Sequence, residues 1–387
     1  MKQPLSGLVA VLSSLAVTVA SVVVFGGAPA AAAQATRVTV NVNAPNARAT
    51  ELVFIRGRVL TGSGPAARAK VRIQAKAPGG KFHTIARRVT GRRGGYLVPY
   101  RAPGTRVYRT VVVRTDRYRA ADSSPVRVRR TKAERSYDDR ERSLRGVLGQ
   151  RNGGPQADQR FGRRVIHGSY GKAILAKVGK STSLVYGRLL ERYQQLDGVR
   201  GRLGAPVSDV TCQLLEGACL QRFQNGTIYL NPSARKPVSV IFGRGERTAF
   251  MAVAASQEGY REPSFRGSKY NVWQGAKRAW CGFYLAWASH ASGNGNAFPR
   301  GDDFSAQRAE VERRGNLFYQ PRRGAVAFIG SGSTPTHAAL VLSVRKDGRI
   351  VTLEGNVGPH SYTGHPRGVF RRVRGTGNVI YYANPRY

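Results

Sequence analysis

Apolar residues fall along this chain in several distinct rhythms. A nearly continuous apolar run at 8–25 follows Lys2 and gives way to small residues at 28–35. That order predicts a secretory leader over 1–33, cleaved near Ala31 to Ala33. The run is almost long enough to span a bilayer, so an uncleaved anchor is the alternative. From 36 to 128 apolar and polar residues alternate in short runs, at 38–42, 53–59, 70–74, 96–100 and 110–114, with turns at Gly79-Gly80 and Gly94-Gly95. Short strands with one apolar face predict a β-sandwich. Alternation stops over 129–160, which is dense in Arg, Asp, Glu and Gln and is expected to be a solvated helix followed by a linker. Between 161 and 240 a short helix is expected near Leu189-Leu190, then a loop over 201–209, then a hairpin turning at Asn225-Gly226. From 247 to 387 the pattern is mixed, with helices expected at 249–257 and 279–288. Strands are expected at 321–328, 337–344 and 349–356, with a last one around Tyr381-Tyr382.

Composition adds a charge argument. The 387 residues are 41% apolar and carry a formal net charge of +42. The apolar content fills several small cores and excludes a disordered chain. The basic residues are spread over the whole length, a field that draws a protein towards polyanions. No recognition motif or aromatic stacking platform accompanies them, so specific nucleic-acid binding is not expected. An exported chain would meet anionic cell-wall polymers or a membrane surface instead.

The candidate chemistry begins with three cysteines, an odd number that leaves one thiol free or pairs chains. Cys212 and Cys219 are spaced to close a bridged hairpin, and the cysteines lack the repeated short spacing of a zinc site. No metal or cofactor is expected. Cys281 remains, in the first turn of a predicted helix, where unpaired N–H groups favour thiolate and can bind an oxyanion. A thiolate nucleophile needs a proton carrier, and His337 opens a predicted strand after the polar loop 330–336. His290 sits about two and a half turns further along the Cys281 helix, out of reach. Lys346-Asp347-Gly348 reverses the chain after the His337 strand, and alternation puts Glu354 and Asn356 on one face of the next strand, where either can fix the imidazole tautomer. His83 is expected to be a surface residue, and His360 and His365, in a Gly/Pro-rich stretch, are expected to be solvent-exposed loop residues, with lining of a substrate groove as the alternative.

Several segments resemble known families. The region 36–128 resembles the immunoglobulin-like modules of exported bacterial proteins. The loop Gly201-Arg202-Leu203-Gly204-Ala205-Pro206 followed by Phe223-Gln224-Asn225-Gly226-Thr227-Ile228-Tyr229 is similar to the LGFP repeat, a small β-rich module of secreted, wall-associated actinobacterial proteins. That likeness implies a role in holding the chain at the wall, with at most a degraded second copy before this one. Trp280-Cys281 opening a helix, then Thr336-His337-Ala338-Ala339-Leu340-Val341, then Leu353-Glu354-Gly355-Asn356 resemble the CHAP family of cysteine, histidine-dependent amidohydrolases and peptidases. The resemblance implies a papain-like α+β fold over 247–387. It also implies Cys281 as nucleophile, His337 as base, Glu354 as its orienter and Asn356 as a fourth member. Tyr270, Gln274 and Trp280 would then supply oxyanion or substrate-positioning groups. One departure is Gly324-Ala325, where the family commonly has Gly-Asp. The function implied is that of a secreted, wall-associated enzyme cleaving an amide bond in peptidoglycan, as amidase or endopeptidase. A wall-binding scaffold with an inactive hydrolase domain is the alternative.

Overall fold

Alternation along the strands organises the chain from its first described residues. The computed structural model describes residues 32–48, 51–101, 103–360 and 366–387; the expected leader lies outside them except for residues 32 and 33, and His365 also lies outside. The described part is mostly β-sheet with few helices, arranged in five sheets. In Lys70–Lys76, buried Val71, Ile73 and Ala75 alternate with outward Lys70 and Arg72, the period of two that a half-buried strand requires. This strand lies in a six-stranded sheet with Arg106–Val112 and Val126–Arg130, while Leu52–Thr61 and Gly95–Arg101 belong to a five-stranded one. Both sheets contribute to one core, containing Val53, Ile55, Val59, Val71, Ile73, Val98 and Tyr108. The strand expected at 38–42 is broken into Thr36–Val38 and Asn41–Val42, each paired with a different part of Leu52–Thr61. His83 is exposed at the start of His83–Val89.

The charged segment 129–160 holds the expected helix, Tyr137–Leu148, but one stripe of it is buried, and the strand Arg151–Arg160 stands where a linker was expected. Ser136 caps the helix Tyr137–Leu148, its hydroxyl accepting from the Asp139 amide at 3.0 Å, and Asp138 and Asp139 lie in the first turn where acidic groups favour a helix. Tyr137, Arg140, Leu144 and Leu148 form a buried stripe at helical spacing. Arg151–Arg160 then forms the edge of a four-stranded sheet with Arg163–Tyr170, Ala173–Val178 and Ser181–Tyr186. Arg140 misled the pattern because it is a buried charge. Its guanidinium meets Asp209 at 2.8 Å with both side chains at 1% exposure or less. Asp209 also accepts from the amides of Leu52 at 2.6 Å and Leu184 at 2.7 Å. One fully satisfied carboxylate therefore joins the first sheets, the helix and the four-stranded sheet.

A repeated unit follows. Ser181–Tyr186 leads through Gly187 to the helix Arg188–Gln194, and the three-stranded sheet of Cys219–Phe223, Gly226–Leu230 and Val238–Phe242 leads through Gly243 to the helix Glu246–Ser256. The sequence echoes the geometry: Ser183-Leu184-Val185-Tyr186-Gly187-Arg188 matches Ser239-Val240-Ile241-Phe242-Gly243-Arg244 in kind. Both glycines hold positive φ, 63° and 130°, as the strand-to-helix turn requires. The helix Glu246–Ser256 shares one core with Leu220 and Tyr229 on one side and Tyr284 and Trp287 on the other. No structural break therefore separates residues 240 and 247.

Cys212 and Cys219 form a disulfide, and Glu216 in the intervening loop pairs with Lys269 at 2.8 Å. Replacing both cysteines with serine is expected to lower stability by about 2 kcal/mol by freeing a short closed loop. An unchanged urea midpoint would contradict this.

The C-terminal sheet has six antiparallel strands in the spatial order Leu317–Phe318, Val379–Ala383, Val326–Ser331, Thr334–Val344, Ile350–Val357 and Gly368–Arg374. Val326, Phe328, Ala338, Leu340 and Leu353 share a core with the helices Glu246–Ser256 and Cys281–Ala291. Ala325, Ala327, Ala339 and Val341 alternate with them and fill a second, smaller core with Tyr382. No helix among the described residues is long and apolar enough to cross a membrane.

Candidate active site

Cys281 is the first residue of the helix Cys281–Ala291, whose next residues, from Gly282 to Ser289, are all buried. Such a helix runs through the core, and its sequence allows it because Phe283, Tyr284, Leu285, Ala286, Trp287 and Ala288 leave it no polar face. Trp280 occupies the N-cap without a side-chain cap bond, so first-turn N–H groups remain available to an anion. Cys281 is 1% exposed and is the free cysteine of the chain.

His337 faces it from the fourth position of Thr334–Val344, not the first, because the strand begins three residues earlier than expected. The imidazole and the thiol line the same cavity and interact closely enough for each to shift the other's protonation. His337 Nε2 also lies 3.0 Å from Glu354 Oε2, which leaves Nδ1 as the nitrogen for sulfur. Glu354 is fully buried. Its carboxylate accepts from the Thr352 hydroxyl and from Arg374, Nε to Oε1 at 3.0 Å and Nη2 to Oε2 at 2.9 Å.

The electrostatics follow from these contacts. Burial pushes the Cys281 thiol up, but the hydrogen bond and positive charge of His337, helped by the amides of Ala338 and Gly282, bring it below the ordinary cysteine value. Burial pushes His337 down, yet its bonds to Cys281 and Glu354 and their negative charges raise it to about 9. Burial likewise opposes ionisation of Glu354, and His337 and Arg374 overcome it, so the carboxyl lies below its usual range. Thiolate and imidazolium are thus the mutually stabilised pair, titrating together.

Asn356 reaches the site by an irregular route. The register between Ile350–Val357 and Gly368–Arg374 shifts between Glu354 and Val357, and Asn356 has φ 63°, so simple alternation does not place it. It still lines the same cavity of about 440 Å³ as Cys281, His337, Arg367 and Arg374. Its Oδ1 accepts from Arg367 Nη1 at 3.4 Å. Gly355 explains the approach of strand to helix: a Cβ there would stand 2.9 Å from Tyr284 Cβ and 3.0 Å from the Trp280 ring. Gly355→Ala is expected to cost about 1–3 kcal/mol through overpacking and to raise the apparent pKa of Cys281 by parting the helix from His337. Thermal unfolding and thiol titration read the two effects.

The structure places Tyr270, Gln274 and Trp280 away from the cavity lining, which corrects their expected contact with substrate. Tyr270 is fully buried and stacks on Trp280 at 5.2 Å, with its hydroxyl on Gln257. The Trp280 indole donates to Glu262 at 3.0 Å. The aromatic cluster turns inward to fix the start of the Cys281 helix. Gln274 instead accepts from Arg300 at 3.2 Å. His290 packs edge-on against Trp273, and His360 is exposed. Ala325 is fully buried in the core on the sheet face away from the Cys281 helix, so its departure from Gly-Asp removes no group from the cavity. The sequence reading missed Thr352, Arg367 and Arg374. Thr352 was visible as the residue two before Glu354 on the same face; the arginines are brought in by a neighbouring strand and by the chain just before it. Among the described residues, no group of three or more His, Cys, Asp or Glu is arranged to hold a metal ion.

The LGFP repeat family matches residues 203–243, so the chain carries an LGFP repeat there, covering the loop before the three-stranded sheet and the sheet itself. No curated protein matches the chain. Among solved structures, the sporulation control protein Spo0M of Bacillus subtilis is 12% identical with a TM-score of 0.18, covering 42% of this chain and 96% of its own. The C-terminal 282-residue fragment of intimin, solved with the intimin-binding domain of its translocated receptor, is 10% identical with a TM-score of 0.20, covering 87% of this chain and 100% of its own. Neither overlap bears on fold or function.

Proposed function

We propose that the C-terminal region is a CHAP-like cysteine hydrolase of papain-like plan that cleaves an amide bond in peptidoglycan, within an exported, wall-associated protein. The observation that carries this reading is a buried thiol at a helix start, sharing one cavity with a histidine that is itself fixed by a buried carboxylate. In the reaction, Cys281 thiolate adds to the amide carbonyl carbon, and first-turn N–H groups of its helix hold the resulting oxyanion. His337 gives its proton to the departing nitrogen, the C–N bond breaks, and an amine leaves a thioester on Cys281. Neutral His337 then takes a proton from water as the water oxygen attacks the thioester. Cys281 departs as thiolate, and a carboxylic acid is released. Glu354 holds the ring in the tautomer that serves both steps and stabilises its charged form.

The wall as target is supported by the LGFP repeat at 203–243 and by a net charge of +42, which suits anionic wall polymers. The first two sheets would serve as an immunoglobulin-like spacer. Incubating the full chain with purified cell walls and analysing soluble products by mass spectrometry tests the proposal. Fragments with new amine and carboxyl termini at one type of amide bond are expected. Release of no fragment would overturn it.

A further inference from the structure

Arg367 stands out among the cavity residues because its guanidinium has no carboxylate partner among the described residues. Arg374, the other arginine in the lining, is held in a fork by Glu354. Among the described residues, the Arg367 guanidinium has only the 3.4 Å contact to Asn356 Oδ1, and its buried Nε has no hydrogen-bond partner. Its backbone is nevertheless fixed: the carbonyl accepts from the Glu262 amide at 2.8 Å, and the amide donates to Glu262 Oε1 at 3.4 Å. Among the described residues, no acidic side chain lines the cavity, whereas His337, Arg367 and Arg374 all do. A rooted, partly desolvated fork of N–H donors with no anion to receive it has the chemistry of a carboxylate site.

We infer that Arg367 is a specificity-determining residue that binds a carboxylate of an acidic peptide substrate beside the amide to be cut. The inference rests on the proposed hydrolase reading and adds the substrate class. Asn356, which touches both the cavity and Arg367, orients the guanidinium. The peptide therefore carries a free carboxylate near its scissile bond, and converting that group to a carboxamide removes the fork's partner while leaving the bond to be cut unchanged.

The test uses the full chain with Cys281→Ala, which binds without turnover, and a synthetic stem peptide, L-Ala-γ-D-Glu-L-Lys, with the D-Glu α-carboxyl either free or amidated. The free acid is expected to bind on the order of tenfold tighter or more, the scale of a charge-assisted hydrogen-bond pair. Adding Arg367→Gln should erase that difference, and Arg367→Lys should restore only part of it, since an ammonium cannot form the fork. Equal binding of the two peptides, binding of neither, or a preference that survives Arg367→Gln would each overturn the inference. Cleavage is scored separately with the wild-type chain. Selection of the acid through Arg367 without cleavage of walls or peptides overturns the hydrolase reading alone, and cleavage of both peptides without selection overturns the role of Arg367 alone.

Discussion

Cys281→Ala is expected to abolish fragment release from cell walls, a loss on the order of 10⁵-fold or more, as befits removal of a nucleophile acting as one unit with its base. The expected loss is this large because no other described side chain in the cavity can form the covalent intermediate. Ser331 and Thr336 line the same cavity, but each is an alcohol outside the helix start, with no partner comparable to His337. Cys281→Ser should fail nearly as completely. A serine hydroxyl keeps its proton at the pH where the thiol has already lost its own to His337, so the helix terminus has no anion to stabilise. Both variants should remain folded, since each removes or exchanges a single small atom in a core built from Phe283, Tyr284 and Trp287. Product analysis by mass spectrometry, with circular dichroism as the folding control, reads both effects. Substantial cleavage by the alanine variant would place the chemistry elsewhere.

Glu354→Gln should damage both activity and stability. The amide keeps the shape of the carboxylate but not its charge, and three partners depend on that charge: His337, Thr352 and Arg374. Activity is expected to fall by about 10²- to 10⁴-fold because the imidazole loses its orienting acceptor. Stability is expected to fall by about 3 kcal/mol because the Arg374 guanidinium, only 12% exposed and close to His337, loses the buried Glu354 charge it pairs with. Adding Arg374→Gln should recover much of the stability and none of the activity. The pH profile gives the sign independently. The negative charges of Cys281 and Glu354 help raise His337 to about 9, so in the variant the alkaline fall in rate should begin at lower pH. An unmoved alkaline limb would separate Glu354 from the titration of His337.

Much of the C-terminal region was legible in the sequence, and the reason is periodicity. Thr334–Val344 and Ile350–Val357 overlie the runs expected at 337–344 and 349–356, and the apolar stretch after Cys281 forms the expected helix, whereas the strand expected at 321–328 begins five residues later, at Val326–Ser331. His337 and Glu354 meet because both lie on strands whose order the Lys346-Asp347-Gly348 turn announces. Asn356 lines the cavity but was not legible by alternation, since the left-handed backbone at that residue breaks the period. The helix Tyr137–Leu148 was hidden by its own composition: a stripe including Arg140 looks polar until Asp209, far along the chain, is brought to it. Arg367 and Arg374 were hidden for a related reason. In a chain with so many arginines, only the fold distinguishes a solvated guanidinium from one aimed into a cavity. Tyr270 and Gln274 show the reverse: the resemblance suggests substrate-positioning groups there, but the fold turns Tyr270 into the core and Gln274 towards Arg300, away from the cavity.

Alkylation of Cys281 with iodoacetamide over a range of pH probes the thiolate–imidazolium pair most directly. In the full chain Cys212 and Cys219 are tied in a disulfide, so the label reports Cys281. Labelling should be fast and should rise with an apparent pKa below that of free cysteine, with a second change near pH 9 as His337 loses its proton. In His337→Ala the first transition should move above the free-cysteine value, because burial is then the dominant influence on the thiol. Slow labelling with an ordinary or raised pKa in the wild type, unchanged by His337→Ala, would contradict an activated nucleophile and leave Cys281 as a buried structural thiol.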